Sequence, residues 1–119
     1  MSKTGRTQEQ YLMDILEKIE KIRRKIGEDT YRDFIEDEDL VDIIFLNIMI
    51  IGEAISQIDL DLLYKTNSDK RYWRRIKDTR NYLIHEYHGV NLKILYGIAT
   101  KELEELEKYV REMLEKLNK

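Results

Sequence analysis

Asp39-Leu40-Val41-Asp42-Ile43-Ile44-Phe45-Leu46-Asn47-Ile48-Met49-Ile50-Ile51-Gly52-Glu53-Ala54-Ile55-Ser56-Gln57-Ile58 is the stretch that decides the fold. Almost every side of a helix drawn through it is apolar, and a helix that is apolar all round must be covered all round. A chain of 119 residues has few other helices with which to cover it. Part of its surface is therefore expected to meet a second copy of the chain, which predicts a homodimer. Asn47 and the pair Gly52-Glu53 break the run well short of the roughly 18 to 20 apolar residues a bilayer span needs. The stretch reads as a buried core helix, with no membrane role.

Upstream, Thr7-Gln8-Glu9-Gln10 has the form of a capping box. Tyr11, Leu12, Ile15, Leu16, Ile19, Ile22 and Ile26 then recur at helical spacing until Gly27. Between the two helices, Tyr31, Phe34 and Ile35 suit a short helical turn docked on the core. Downstream, Asp59 to Tyr64 reads as a further short helix or a continuation of the central one, and Lys65-Thr66-Asn67-Ser68-Asp69 as a loop. A helix is expected from about Lys70 to His88, stopped by Gly89 as its left-handed residue. Asn91 is placed to cap a last helix carrying Leu92, Leu95, Ile98, Leu103, Leu106, Val110, Met113, Leu114 and Leu117 on one face. The absence of proline and the presence of only five glycines agree with an all-α chain. The expectation is one domain over 1–119, an antiparallel bundle of four to five helices, with 1–8 a loosely ordered N-terminal extension.

Charged residues make up 38% of the chain yet nearly cancel, to a net charge of -3, so any contact with nucleic acid has to be local. There is no cysteine, hence no disulfide scaffold and no thiolate metal site. Met1 to Gln10 is polar, without the apolar core of a secretion signal, and a cytoplasmic protein is the expectation. No phosphate-binding or dinucleotide glycine motif is present, Gly52 being an isolated glycine inside an apolar helix.

Polar and titratable groups concentrate in Arg80-Asn81-Tyr82-Leu83-Ile84-His85-Glu86-Tyr87, which holds one of only two histidines. Asn81 and His85 lie one turn apart on one face, so that Asn81 could hold the His85 ring. Arg80 and His85 diverge by about 140° on an ideal helix. They could still border one cleft, especially a cleft shared with a second subunit. Such a set suits metal-independent RNA cleavage, in which the ribose 2′-hydroxyl attacks the adjacent phosphate. His85 can supply the acid or base and Arg80 the cation for the phosphorane charge. The nearby C-terminal end of the helix dipole favours the imidazolium and an acid role. Read one by one, the same residues also fit an ordinary helix, with His85 on the surface, Arg80 paired to a carboxylate and Tyr87 in the core. A metal site is disfavoured, because His85, Glu86 and His88 do not share a face.

The octet resembles the R-x-x-x-x-H-x-Y motif of HEPN-domain proteins, in particular the HepT-like toxins of the HepT–minimal nucleotidyltransferase toxin–antitoxin systems. Ile51-Gly52-Glu53-Ala54 resembles the central-helix signature of that family and Trp73-Arg74-Arg75-Ile76 the approach to its catalytic helix. Asp14-Ile15-Leu16 with Phe34 resembles its opening. The resemblance covers roughly residues 9 to 115. It implies a dimeric, metal-independent endoribonuclease toxin acting on RNA, with Arg80 and His85 catalytic and Asn81 supporting them. It also implies a partner, a minimal nucleotidyltransferase antitoxin, that transfers AMP from ATP to Tyr87; the chain itself needs no cofactor. AMP there adds bulk and negative charge where RNA phosphate should sit. The chain departs from its relatives at Asp78-Thr79, where a basic or apolar residue is common, and at His88-Gly89, where an aromatic is. The alternative reading is a non-catalytic subunit that presents a helical groove to a nucleotidyltransferase.

Overall fold

The computed structural model describes residues 5–86 and 88–119, and every regular element among them is helical. Helix α1, Gln8–Ile26, opens on the expected capping box. Thr7 Oγ1 accepts from the Gln10 backbone at 3.1 Å and the Gln10 side chain accepts from the Thr7 N–H at 2.8 Å. It stops at Gly27, whose φ of 54° is a conformation that suits glycine. A second capping box, Thr30 with Asp33, opens the six-residue α2, Tyr31–Glu36. Phe34 fixes α2 to the core with no exposed surface, whereas Ile35, expected to dock as well, faces solvent.

Helix α3, Glu38–Ile55, is capped by Asp37 and is the central element, packed against α1 on one side and α5 on the other. Its polar residue Asn47 is buried and satisfies itself locally, donating to the Ile43 carbonyl at 2.7 Å. One stripe of α3 stays uncovered: Leu46 is 58% exposed and Ile43 and Ile50 are only partly buried. Helix α4, Leu60–Thr66, runs two residues into the expected loop, and α5 spans Lys70–His85. The expectation that α5 continues to His88 and closes on a left-handed Gly89 is not met. The helix ends at Glu86, φ -106°, and the positive φ values among the described residues belong to Gly5 and Gly27. Gly89 instead closes a turn, its N–H donating to the Glu86 carbonyl at 2.9 Å.

Asn91 caps α6, Leu92–Gly97, as its position predicts. The last helix continues without a break through a π-helical turn, Ile98–Glu102, into α7, Leu103–Leu117. The sequence explains the turn. Leu92, Leu95 and Ile98 keep one apolar register and Leu103, Leu106, Val110 and Met113 another. The five-residue step from Ile98 to Leu103 is one residue too long for an α-helix, and a π turn absorbs it. Leu95, Ile98, Leu103, Leu106, Val110 and Met113 are all buried as a result.

Residues 1–4 of the expected N-terminal extension lie outside the described residues. Arg6 pairs with Asp14, and Gln8 bridges to the α3–α4 connection, donating to the Gln57 carbonyl at 2.9 Å and accepting from the Asp59 N–H at 2.8 Å. Among the described residues no single helix is long and apolar enough to cross a membrane.

Phe34 is the buried anchor of the short α2, its ring centroid 5.4 Å from that of Tyr96, which Tyr31 also meets edge-on and whose hydroxyl donates to the Asp29 carbonyl. Phe34→Ala should destabilise the chain by about 3–5 kcal/mol in urea unfolding. A loss below about 1 kcal/mol would show that α2 is not part of the cooperative core.

Candidate active site

Helix α5 starts where Asp69 Oδ1 accepts from the Arg71 N–H at 3.0 Å. It is anchored by buried Tyr72, Trp73 and Leu83, with the Trp73 indole N–H donating to the Asn67 carbonyl at 2.8 Å. Burial, with Glu105 adding to it, holds the Tyr72 hydroxyl well above the usual tyrosine range, so it stays neutral. At the other end Tyr82 Oη accepts the Asn91 N–H at 2.9 Å, and Asn91 Oδ1 in turn caps α6. This double use of Asn91 ties the end of α5 to the start of the last helix, across the turn that follows His85.

Arg80 sits where α5 comes closest to α3. An added Cβ on Gly52 would lie 2.9 Å from Arg80 Cβ and 3.2 Å from its Cγ, so the glycine is what lets the arginine stem pass. The next residue, Glu53, forms a salt bridge with Arg80 Nη1, and Arg80 Nη2 donates to Asn81 Oδ1 at 3.2 Å. The guanidinium is thereby held in one orientation, its side chain 20% exposed. Its Nε is buried and has no acceptor among the described residues. A planar fork held in one orientation and still partly exposed is chemically suited to an incoming anionic oxygen.

His85 is the last residue of α5, is exposed, and makes no hydrogen bond or ion pair with any described residue. The expected support of its ring by Asn81 is absent; Asn81 Oδ1 accepts from Arg80 instead. Arg80 packs against Gly52 of α3, while His85 is exposed and no hydrogen bond or ion pair joins the two, in keeping with their divergence of about 140° on an ideal helix. Tyr87 lies outside the described residues, and His88 is exposed.

Two grooves flank the crossing of α3 and α5, and Gly52 lines both. One, of about 340 Å³, runs between α3, α5 and the π turn, with Arg75, Arg80 and Lys101 on its walls. The other, of about 620 Å³, lies toward α4 and carries Lys70, Arg74, Lys77 and Asn81. Among the described residues no group of three His, Cys, Asp or Glu side chains is placed to hold a metal ion.

The family model described as ribonuclease HepT-like matches residues 15–113. The chain belongs to that family. It is 34% identical over 111 residues, covering 93% of this chain and 97% of the relative, to a Caldanaerobacter subterraneus protein named as a candidate RNase. It is 32% identical over 102 residues, 86% of this chain and 91% of the relative, to a Thermococcus cleftensis protein named "Probable ribonuclease HepT". A Methanocaldococcus jannaschii protein named for a gamma-glutamylcyclotransferase and a candidate RNase is 32% identical over 92% of this chain. The match spans only 48% of that longer relative. No solved structure matches the chain significantly.

Within this ribonuclease HepT-like chain, Gly52 and Glu53 are site-forming residues that motif spacing did not single out. Their signal was a glycine followed by an acid in the middle of an otherwise apolar helix, a pattern that marks close approach of another element. Gly52→Ala forces contact with Arg80 Cβ, an atom fixed to the α5 backbone, so α3 and α5 must part. The variant should lose about 1–3 kcal/mol in chemical denaturation. Unchanged stability would mean the crossing is looser than the geometry requires.

Proposed function

We propose that this ribonuclease HepT-like chain cleaves RNA without a metal ion, by attack of a ribose 2′-hydroxyl on the adjacent phosphate, with Arg80 and His85 as catalytic residues and Asn81 in support. The observation that carries this reading is the Arg80 arrangement. A guanidinium held by Glu53 and Asn81 beside Gly52, with its side chain still 20% exposed, is a preorganised receptor for phosphoryl oxygen. In the reaction the 2′-oxygen bonds to phosphorus as its proton passes to a base. Arg80 balances the charge of the phosphorane, and the P–O5′ bond breaks as the 5′-oxygen takes a proton. The products are a 2′,3′-cyclic phosphate and a 5′-hydroxyl. His85, exposed and unencumbered, is the proton carrier.

The divergence of Arg80 and His85 around α5 supports a site completed by a second copy. The uncovered stripe Ile43, Leu46 and Ile50 leads along α3 to Glu53, and Ile84, 47% exposed, lies one turn beyond Arg80 on α5. A homodimer packed on this apolar surface covers what a single chain leaves bare and sets two histidines beside two arginines. One imidazole can then accept the proton while the other donates. In this reading the chain is the toxin of a toxin–antitoxin pair. A partner nucleotidyltransferase silences it by moving AMP from ATP onto Tyr87, two residues past His85: the tyrosine oxygen bonds to the α-phosphorus, its proton is lost and pyrophosphate leaves, and the ATP is the partner's, so no cofactor belongs to the chain itself. A non-catalytic subunit is the competing reading, favoured by the salt bridge that already occupies Arg80.

Purified protein free of AMP, incubated with labelled RNA in excess EDTA, decides between them. Wild type should cut and leave cyclic phosphate ends, and His85→Ala and Arg80→Ala should each slow cutting by about 10²–10⁴-fold. Equal behaviour of wild type and His85→Ala removes the enzymatic reading. Leu46→Glu, which buries a charge in the apolar stripe, should convert dimers to monomers in sedimentation and lower cleavage at least about tenfold. A fully active monomer would show that one chain suffices.

A further inference from the structure

The charge of this molecule is unevenly placed. Helix α5 carries six Lys or Arg residues against a single Asp, in a chain whose net charge is -3. Three of the six, Lys70, Arg74 and Lys77, fall at spacings of four and three residues. Asn81 and His85 continue the series by four and four. At 100° per residue all five lie within about 80° of one another, on a single stripe. The structure bears this out. Lys70, Arg74, Lys77 and Asn81 share the groove toward α4, and Lys70, Arg74 and Lys77 are exposed.

Their charges are also unspent. Among the described residues none of the three forms a salt bridge, unlike Arg71, which pairs with Asp69, and Arg80, which pairs with Glu53. Lys70 Nζ stands 5.0 Å over the Tyr64 ring at the far end of the groove. Asp78 is the one acidic side chain on the groove wall. Successive positions of the stripe are separated by about 4.5–6 Å of helix rise, and the whole runs about 22 Å from Lys70 to His85. A positive groove with an aromatic at one end, on a stripe that His85 continues one turn past Asn81, is the form of site that follows a single-stranded nucleic-acid backbone.

We propose that Lys70, Arg74 and Lys77 form a track that binds successive phosphates of a single RNA strand outside the scissile position and guides it to His85. The identity of the ligand rests on the ribonuclease reading; the existence of an anionic, extended ligand rests on the stripe. The track explains how a chain of negative net charge holds RNA. Six of the 21 Lys and Arg residues stand on this one helix, against a single acidic side chain there. Because its contacts are to phosphate, the track confers affinity and direction with no base preference of its own.

The test uses full-length protein carrying His85→Ala, so that binding is read without cleavage, and a fluorescein-labelled, mixed-sequence single-stranded RNA of twenty nucleotides. Anisotropy titrations are run over a series of salt concentrations. The combination Lys70→Ala, Arg74→Ala and Lys77→Ala should weaken binding at least about tenfold near 100 mM salt, and each single change should lower the slope of log affinity against log salt by about 0.7. A control that removes equal charge from exposed positions of α1 and α7, Arg24→Ala, Lys25→Ala and Lys108→Ala, should bind nearly as tightly as the parent. Equal weakening by both triples overturns the track in favour of a diffuse field. Unchanged RNA affinity in the stripe triple also overturns it, leaving an acidic protein surface as the occupant of the groove. The two proposals fail separately. Stripe-dependent binding by a wild type that cuts nothing sinks the ribonuclease reading and keeps the track. Cleavage by an otherwise wild-type stripe triple at the full rate, with RNA below saturation, sinks the track and keeps the ribonuclease.

Discussion

Everything distinctive about this chain depends on how closely α3 and α5 cross at Gly52. Without a Cβ at that position, the stem of Arg80 passes against the backbone of the core helix. With the stem there, Glu53 and Asn81 reach the guanidinium from either side. The crossing also sets the orientation of α5, hence which of its faces is buried and which carries the basic stripe. Tyr72, Trp73 and Leu83 lock that rotation from the core, and the Tyr82–Asn91 hydrogen bond locks it from the far end. The site is therefore a property of two helices in contact, not of the motif on one.

The same constraint explains why the central helix is so apolar and yet not fully covered. α1 and α5 take two sides of α3, and α2 takes part of a third. Among the described residues no further helix covers the stripe through Ile43, Leu46 and Ile50. That stripe leads to Glu53, so whatever covers it also borders the arginine. A geometry in which Arg80 and His85 look in different directions is a poor site for a monomer and a workable one for a pair.

The sequence disclosed the helices wherever periodicity and cap chemistry agreed. Thr7 with Gln10 and Asn91 cap where their side chains predict, because a cap is a local hydrogen bond, and Gly27 ends α1 where its freedom to take a positive φ predicts. It was less informative where tertiary contacts decide. Gly89 looked like a helix stop, but α5 unwinds three residues earlier, where the chain must turn for Tyr82 to meet Asn91. The π turn at Ile98–Glu102 was written in the five-residue step between Ile98 and Leu103, legible only when the two apolar registers are compared. Of the site, Arg80, Asn81 and His85 stood out by type and spacing. Gly52 and Glu53 entered only through the resemblance of Ile51-Gly52-Glu53-Ala54 to a family signature, and their contact with Arg80 was not legible because that partner is 27 and more residues away. The basic stripe was hidden by a net charge that averages over the whole chain.

The central claim is that this crossing serves RNA cleavage by the neighbouring 2′-hydroxyl. The most direct test is a set of labelled RNA strands in which the nucleotide on the 5′ side of a mapped cleavage site is replaced by its 2′-deoxy form. The account predicts that cutting stops at that bond and continues at the others, with cyclic phosphate ends. Cutting at the substituted bond would mean that water or another nucleophile attacks, and would contradict the roles given to Arg80 and His85.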